Sequence, residues 1–116
     1  MECLTWFAPI LPGKLDAFNE VGVELRSSRR EEYQRSRRRM GIVREVTSYM
    51  ATPAGEFACI FQEGEDIGKA LSMAATSEDP FDEWFRGRIA EIHGILPEML
   101  QGPPPAKLHA DFRIDA

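Results

Sequence analysis

The chain has 116 residues, 43% hydrophobic and 28% charged, which is the size of one domain and too apolar a composition for a disordered chain. Its net charge of −5 disfavours a general polyanion binder, and no apolar run approaches the about 20 residues of a spanning helix. Met1-Glu2-Cys3 lacks the basic start of a secretory signal, so a cytoplasmic protein with no membrane partner is the default expectation.

Residues 2–10, ECLTWFAPI, are short, aromatic and apolar and end at the turn signal Pro12-Gly13, which predicts a first strand. No proline interrupts Lys14 to Met40, and Leu15, Phe18, Val21, Gly22 and Leu25 recur at helical spacing, which predicts one long amphipathic helix. Gly41 stands where a left-handed cap residue ends such a helix, and the arginines before it suit the helix's negative end. Residues 42–51, IVREVTSYMA, alternate and are β-branched. Pro53-Ala54-Gly55 then supplies a turn and FACIF at 57–61 a further strand, together a hairpin.

Ile67 to Ala75 and Pro80 to His93 read as two short helices, the second with Phe81, Trp84, Phe85, Ile89 and Ile92 on its apolar side. A proline-rich loop follows at 97–107. LHADFRI at 108–114 alternates, with Leu108, Ala110, Phe112 and Ile114 on one face, and predicts a fourth strand. Cys3 and Cys59 have no metal-type spacing and lie in apolar strands, where buried free thiols are expected.

The order βαββαβ over residues 1–116 predicts a single ferredoxin-like α+β domain, a four-stranded antiparallel sheet in the order 4-1-3-2 with helices on one face. Strands one and three are apolar on both faces: Leu4 and Trp6 oppose Cys3 and Phe7, and Ala58 and Ile60 oppose Phe57, Cys59 and Phe61. Two helices cover one face only. The other needs a partner surface, and a second copy in a twofold homodimer is the simplest one.

In RRRMGIVREV at 37–46 and SEDPFDEWFRGRIAEIHGI at 77–95, within this element order, the chain resembles the dimeric α/β-barrel superfamily. More narrowly it looks like a small bacterial family of such proteins of uncharacterised function. The resemblance implies a dimeric α/β barrel. It spans cofactor-free monooxygenases, haem enzymes, lactone isomerases, sugar mutarotases and polyketide cyclases, so it names no reaction.

Asp79 fits a helix N-cap, Pro80 the first helical position, and Asp82 and Glu83 the acidic first turn, so capping accounts for these residues. His93 lies nine residues after Trp84, about 180° around the helix, and beside Gly94 it reads as a cation at the C-terminus. RSSRREEYQRSRRR at 26–39 carries seven arginines against two glutamates but lacks the aromatic interleaving of a nucleic-acid platform. It reads as a solvated or dimer-bridging face with a Glu31–Arg35 pair, and no nucleic-acid partner is expected.

Period two places His109, Asp111 and Arg113 together, and Glu45, Thr47 and Tyr49 together. His109, Tyr49 and Glu45 are the candidate catalytic residues, because an imidazole, a phenol and a carboxylate are parts for proton transfer. Trp84, Trp6, Phe61 and Phe18 are the candidate walls of a pocket for an apolar small molecule. No Gly-rich phosphate loop, HExxH, CxxC or Ser-His-Asp order occurs, so neither a metal nor a cofactor is expected. The expectation is a cofactor-independent enzyme of isomerase, cyclase or monooxygenase type acting on an apolar or aromatic small molecule. The alternative is a non-catalytic dimeric binding or interaction module.

Overall fold

A computed structural model describes residues 1–115. Its elements are β1 (Glu2–Ile10), α1 (Leu15–Arg26), α2 (Arg30–Arg39), β2 (Ile42–Thr52), β3 (Gly55–Gly64), α3 (Ile67–Thr76), α4 (Pro80–His93) and a short α5 (Pro97–Leu100). This is a mixed α+β domain around a three-stranded antiparallel sheet in the order β1-β3-β2.

The sheet register follows from side-chain alternation. Leu4, Trp6 and Ala8 of β1 lie opposite Gln62, Ile60 and Ala58 of β3, which in turn lie opposite Glu45, Thr47 and Tyr49 of β2. These residues share the helix-covered face. Thr5, Phe7 and Pro9 share the other with Phe57, Cys59, Phe61, Val46 and Met50, and no helix covers it: Phe7 is 58% exposed and Val46 39%. Both cysteines are free thiols on that face, and they are half-buried rather than buried.

Two differences from the predicted architecture have physical reasons. The expected helix 14–40 is two helices. At Ser27 the hydroxyl donates to the Val23 carbonyl at 2.6 Å, φ is −135° and ψ is −94°, and the Arg29 amide reaches back to the Glu24 carbonyl at 2.8 Å. Serine offers the backbone such local alternatives to the helical ladder, and the chain turns before α2 begins. The expected fourth strand at 108–114 is not formed. The segment runs near β1, where the Cys3 thiol lies 3.6 Å from an Asp111 carboxylate oxygen, but it is not paired into the sheet. Phe112 is 82% and Ile114 81% exposed. Alternation makes a segment compatible with a strand, but pairing also needs an apolar surface on which its apolar face is buried.

Helix ends follow their sequence signals. Asp79 accepts from the Phe81 amide at 3.0 Å and Asp66 from the Lys69 amide at 3.0 Å, each cap contributing about 1 kcal/mol. Gly94 ends α4 with φ 69°, in the left-handed region that glycine enters without strain. The Glu31–Arg35 pair forms at 3.9 Å on the exposed face of α2.

The core is divided. One cluster gathers Leu4, Met40, Ile42, Ile67, Ala70 and Leu71, and a second gathers Ile10, Val21 and Ile92 with Phe18, Leu25 and Trp84 around it. Ile92 is 1% exposed, a burial that contributes roughly 2 kcal/mol. Between the clusters the packing leaves a cavity.

Candidate functional site

The cavity, of about 480 Å³, lies between the helices and the helix-covered face of the sheet. Its floor is Trp6 of β1, Ala58 and Ile60 of β3, and Glu45, Thr47 and Tyr49 of β2. Phe18, Val21 and Leu25 of α1 and Phe85, Ile89 and Ile92 of α4 wall it. Thr47 and Tyr49 face the helix side yet remain exposed, as do Asn19, Val23 and Arg26 of α1, so the cavity opens between α1 and the β2 edge. This combination of a concave apolar wall and a few polar groups is the usual form of a small-molecule site.

One polar part of the wall is a buried network built on Glu45, whose side chain is 10% exposed. Trp6 donates from its indole nitrogen to Gln62 Oε1 at 2.9 Å, which leaves the Gln62 amide nitrogen to donate to Glu45 Oε2 at 2.9 Å. The other carboxylate oxygen accepts from Arg37 Nε at 3.0 Å and from the Tyr33 hydroxyl. Burial alone would raise the Glu45 pKa, but the Arg37 guanidinium and these donors outweigh it and hold the carboxyl below its usual range. Burial would likewise lower that of Arg37, and Glu45 reverses the effect. The Tyr33 phenol is pushed up by burial and by the Glu45 charge, so it stays protonated as a donor.

The network continues through α2 into α4. Arg37 Nη1 donates to Ser36 Oγ at 3.0 Å, and Ser36 donates to Asp82. Asp82 also accepts from Ser77 at 2.6 Å and Arg39 at 2.9 Å, and these bonds outweigh burial to lower its pKa. Asp82 is therefore more than a charge in the first turn of α4: it fastens α4 to α2. The Arg37 guanidinium also stacks on the rings of Tyr33 and Phe85, 4.8 Å from each centroid.

The second polar place is His93, 6% exposed, in the cavity wall at the end of α4. Its Nδ1 lies 2.7 Å from the Pro9 carbonyl oxygen. A carbonyl only accepts, so Nδ1 carries the proton and Nε2 the lone pair. The Phe18 ring packs edge-on at 5.8 Å. Burial lowers the His93 pKa against a smaller opposing effect of the Pro9 bond, so the ring is held neutral and is not the solvated helix-end cation that its sequence position suggested.

Of the sequence candidates, the structure brings Glu45, Tyr49, Trp6 and Phe18 to this cavity. Tyr49 stands at the mouth with its hydroxyl on Glu56, which first and foremost raises the phenol's pKa. Trp84 packs against Phe81 and Phe85 beneath the Arg29 guanidinium at 3.9 Å, and Phe61 lies on the uncovered sheet face under Arg44; neither lines the cavity. His109 is on the exposed segment after Pro105, apart from it. Sequence reasoning passed over Arg37, Tyr33, Ser36 and Gln62. One signal for three of them was present: Tyr33 is the single aromatic in REEYQRSRRR, and Ser36 and Arg37 follow it at i+3 and i+4, on one helix face.

Among the described residues no group of three or more His, Cys, Asp or Glu is placed to hold a metal ion, and no helix is long and apolar enough to cross a membrane. Compared with protein-family models, with curated proteins and with solved structures, the chain matches none.

Proposed function

We propose that the chain binds an apolar or aromatic small molecule in the cavity between helices and sheet and acts on it by acid–base chemistry without a cofactor, in a reaction of isomerase, cyclase or monooxygenase type. The observation that carries this reading is a 480 Å³ apolar cavity with an imidazole in its wall. Glu45 takes a positioning role in it. A carboxylate already holding three donors is a weak base, while it fixes Arg37, Tyr33 and Gln62. His93 is the remaining neutral base of the wall.

The satisfied state of the Glu45 network favours a second reading, a binding module without turnover, because no proton on that network is free to move. Incubation of the protein with planar apolar compounds, followed by thermal denaturation and product analysis, separates the two. A rise in melting temperature with turnover supports the enzyme, and a rise without turnover supports the module. No shift with any compound overturns both.

The working unit in this proposal is a homodimer with the four-stranded ferredoxin-like sheet completed in the assembly. The support is the apolar face bearing Phe7, Val46, Phe57 and Phe61, with Arg44 and Glu63 opposite each other in register to offer self-complementary charge across a twofold axis. Sedimentation equilibrium should give twice 13.1 kDa for the wild type, and Phe7→Lys should give a monomer. A wild-type monomer at micromolar concentration would remove the dimer from the proposal.

A further inference from the structure

Side-chain nitrogens and oxygens sealed from solvent all have hydrogen-bond partners among the described residues. His93 Nε2 has none there, so it is not sealed off, although the residue as a whole is 94% covered. His93 also lines the cavity, which gives a molecule bound there a path to the ring. The ring cannot turn its lone pair elsewhere, because Nδ1–H is held on the Pro9 carbonyl and Phe18 packs on the ring. A fixed acceptor that remains reachable is one to which a ligand's donor can bond.

From this we infer that the cavity takes an apolar molecule bearing a hydroxyl, a phenol or enol in chemical class, whose O–H donates to His93 Nε2 while its body lies against Trp6, Phe18 and Ile60. The inference rests on the small-molecule reading above and specifies its ligand. A fully ionised carboxylate is disfavoured against the neutral ring, because its lone pairs would face another lone pair. A bare hydrocarbon fits the walls but leaves the acceptor unpaired, and sites built to bond a hydroxyl discriminate against analogues that lack it.

The test is calorimetric titration of the whole protein with 2-naphthol and with 2-methoxynaphthalene, which keeps the ring and cannot donate. 2-Naphthol should bind the wild type about tenfold more tightly, the size of one buried hydrogen bond, and the gap should close in His93→Phe. Equal affinities in the wild type would overturn the inference and leave the small-molecule reading standing. Binding of neither compound would overturn both. A gap that persists in folded His93→Phe would overturn it too, by placing the acceptor elsewhere. If His93→Phe does not fold, the wild-type comparison decides the question alone.

Discussion

Two of the polar places in the cavity wall, Glu45 and His93, use their hydrogen-bonding capacity differently. Around Glu45, three donors from α2 and β3 occupy both carboxylate oxygens, and Trp6 completes Gln62 behind them. At His93 one ring nitrogen is fixed on a backbone carbonyl, and the other is left without a partner among the described residues. Buried charge with every bond made holds elements together; a buried base with one bond unmade is where a ligand has something to gain. The difference teaches that the more conspicuous cluster has its bonds made within the protein, while the quieter residue keeps one to offer.

The sharpest way to break this comparison is Glu45→Ala. It strands the Arg37 guanidinium in a buried site without its counter-charge, a change that typically costs about 3–5 kcal/mol, and urea unfolding should show it. A loss below 1 kcal/mol would mean the network does not hold α2 to the sheet. His93→Phe removes one neutral hydrogen bond but keeps an aromatic ring, so a loss of about 1 kcal/mol is expected with ligand binding reduced.

Acid separates the two places further. His93 has a folded pKa below its ordinary 6.5, so the unfolded chain binds the proton more readily, and stability present above 6.5 is lost as pH falls through the folded value. Glu45 and Asp82 also have lowered folded values, against ordinary values of 4.5 and 3.8, so their contribution is lost only at lower pH, through their folded pKa values. Melting temperature should therefore fall in two stages on acidification. His93→Phe should flatten the first and Glu45→Gln the second; a first stage unchanged in His93→Phe would contradict the neutral buried ring.

Gly94→Ala acts through the backbone rather than through either polar place. The nearest atom to an added Cβ is Leu11 Cδ1 at 3.5 Å, an ordinary contact, so the cost is that of a left-handed alanine, about 1–2 kcal/mol. Because Gly94 ends the helix directly after His93, denaturation and 2-naphthol affinity measured on the same variant show whether that cap also sets the ring's position.

Much of the fold was legible in local signals. β1 at 2–10, the hairpin around Pro53-Ala54-Gly55, and α4 between Asp79 and Gly94 are specified by turn residues, caps and apolar spacing that act within a few positions. The break at Ser27 was not, because a serine pair bends a helix through its hydroxyl rather than by the missing donor of proline or the freedom of glycine. The segment 108–114 is unpaired in the single chain, since alternation says nothing of the surface that must receive a strand. Within the site, Glu45, Trp6 and Phe18 could be placed from strand and helix periodicity. The Glu45–Arg37–Ser36–Asp82 connection could not, because it needs β2 folded back on α2 and a Ser36–Asp82 bond between α2 and α4 across 46 positions. An arginine in a run of arginines also looks solvated until tertiary packing closes over it.

The central claim, that His93 is a neutral base with its proton on Nδ1 and an open acceptor at Nε2, is tested most directly by long-range proton–nitrogen correlation NMR of the histidine side chains at neutral pH. A protonated Nδ1 and an unprotonated Nε2 for His93, with Nε2 shifting on addition of 2-naphthol, is the predicted result. A proton on Nε2, or an imidazolium ring at that pH, would contradict it.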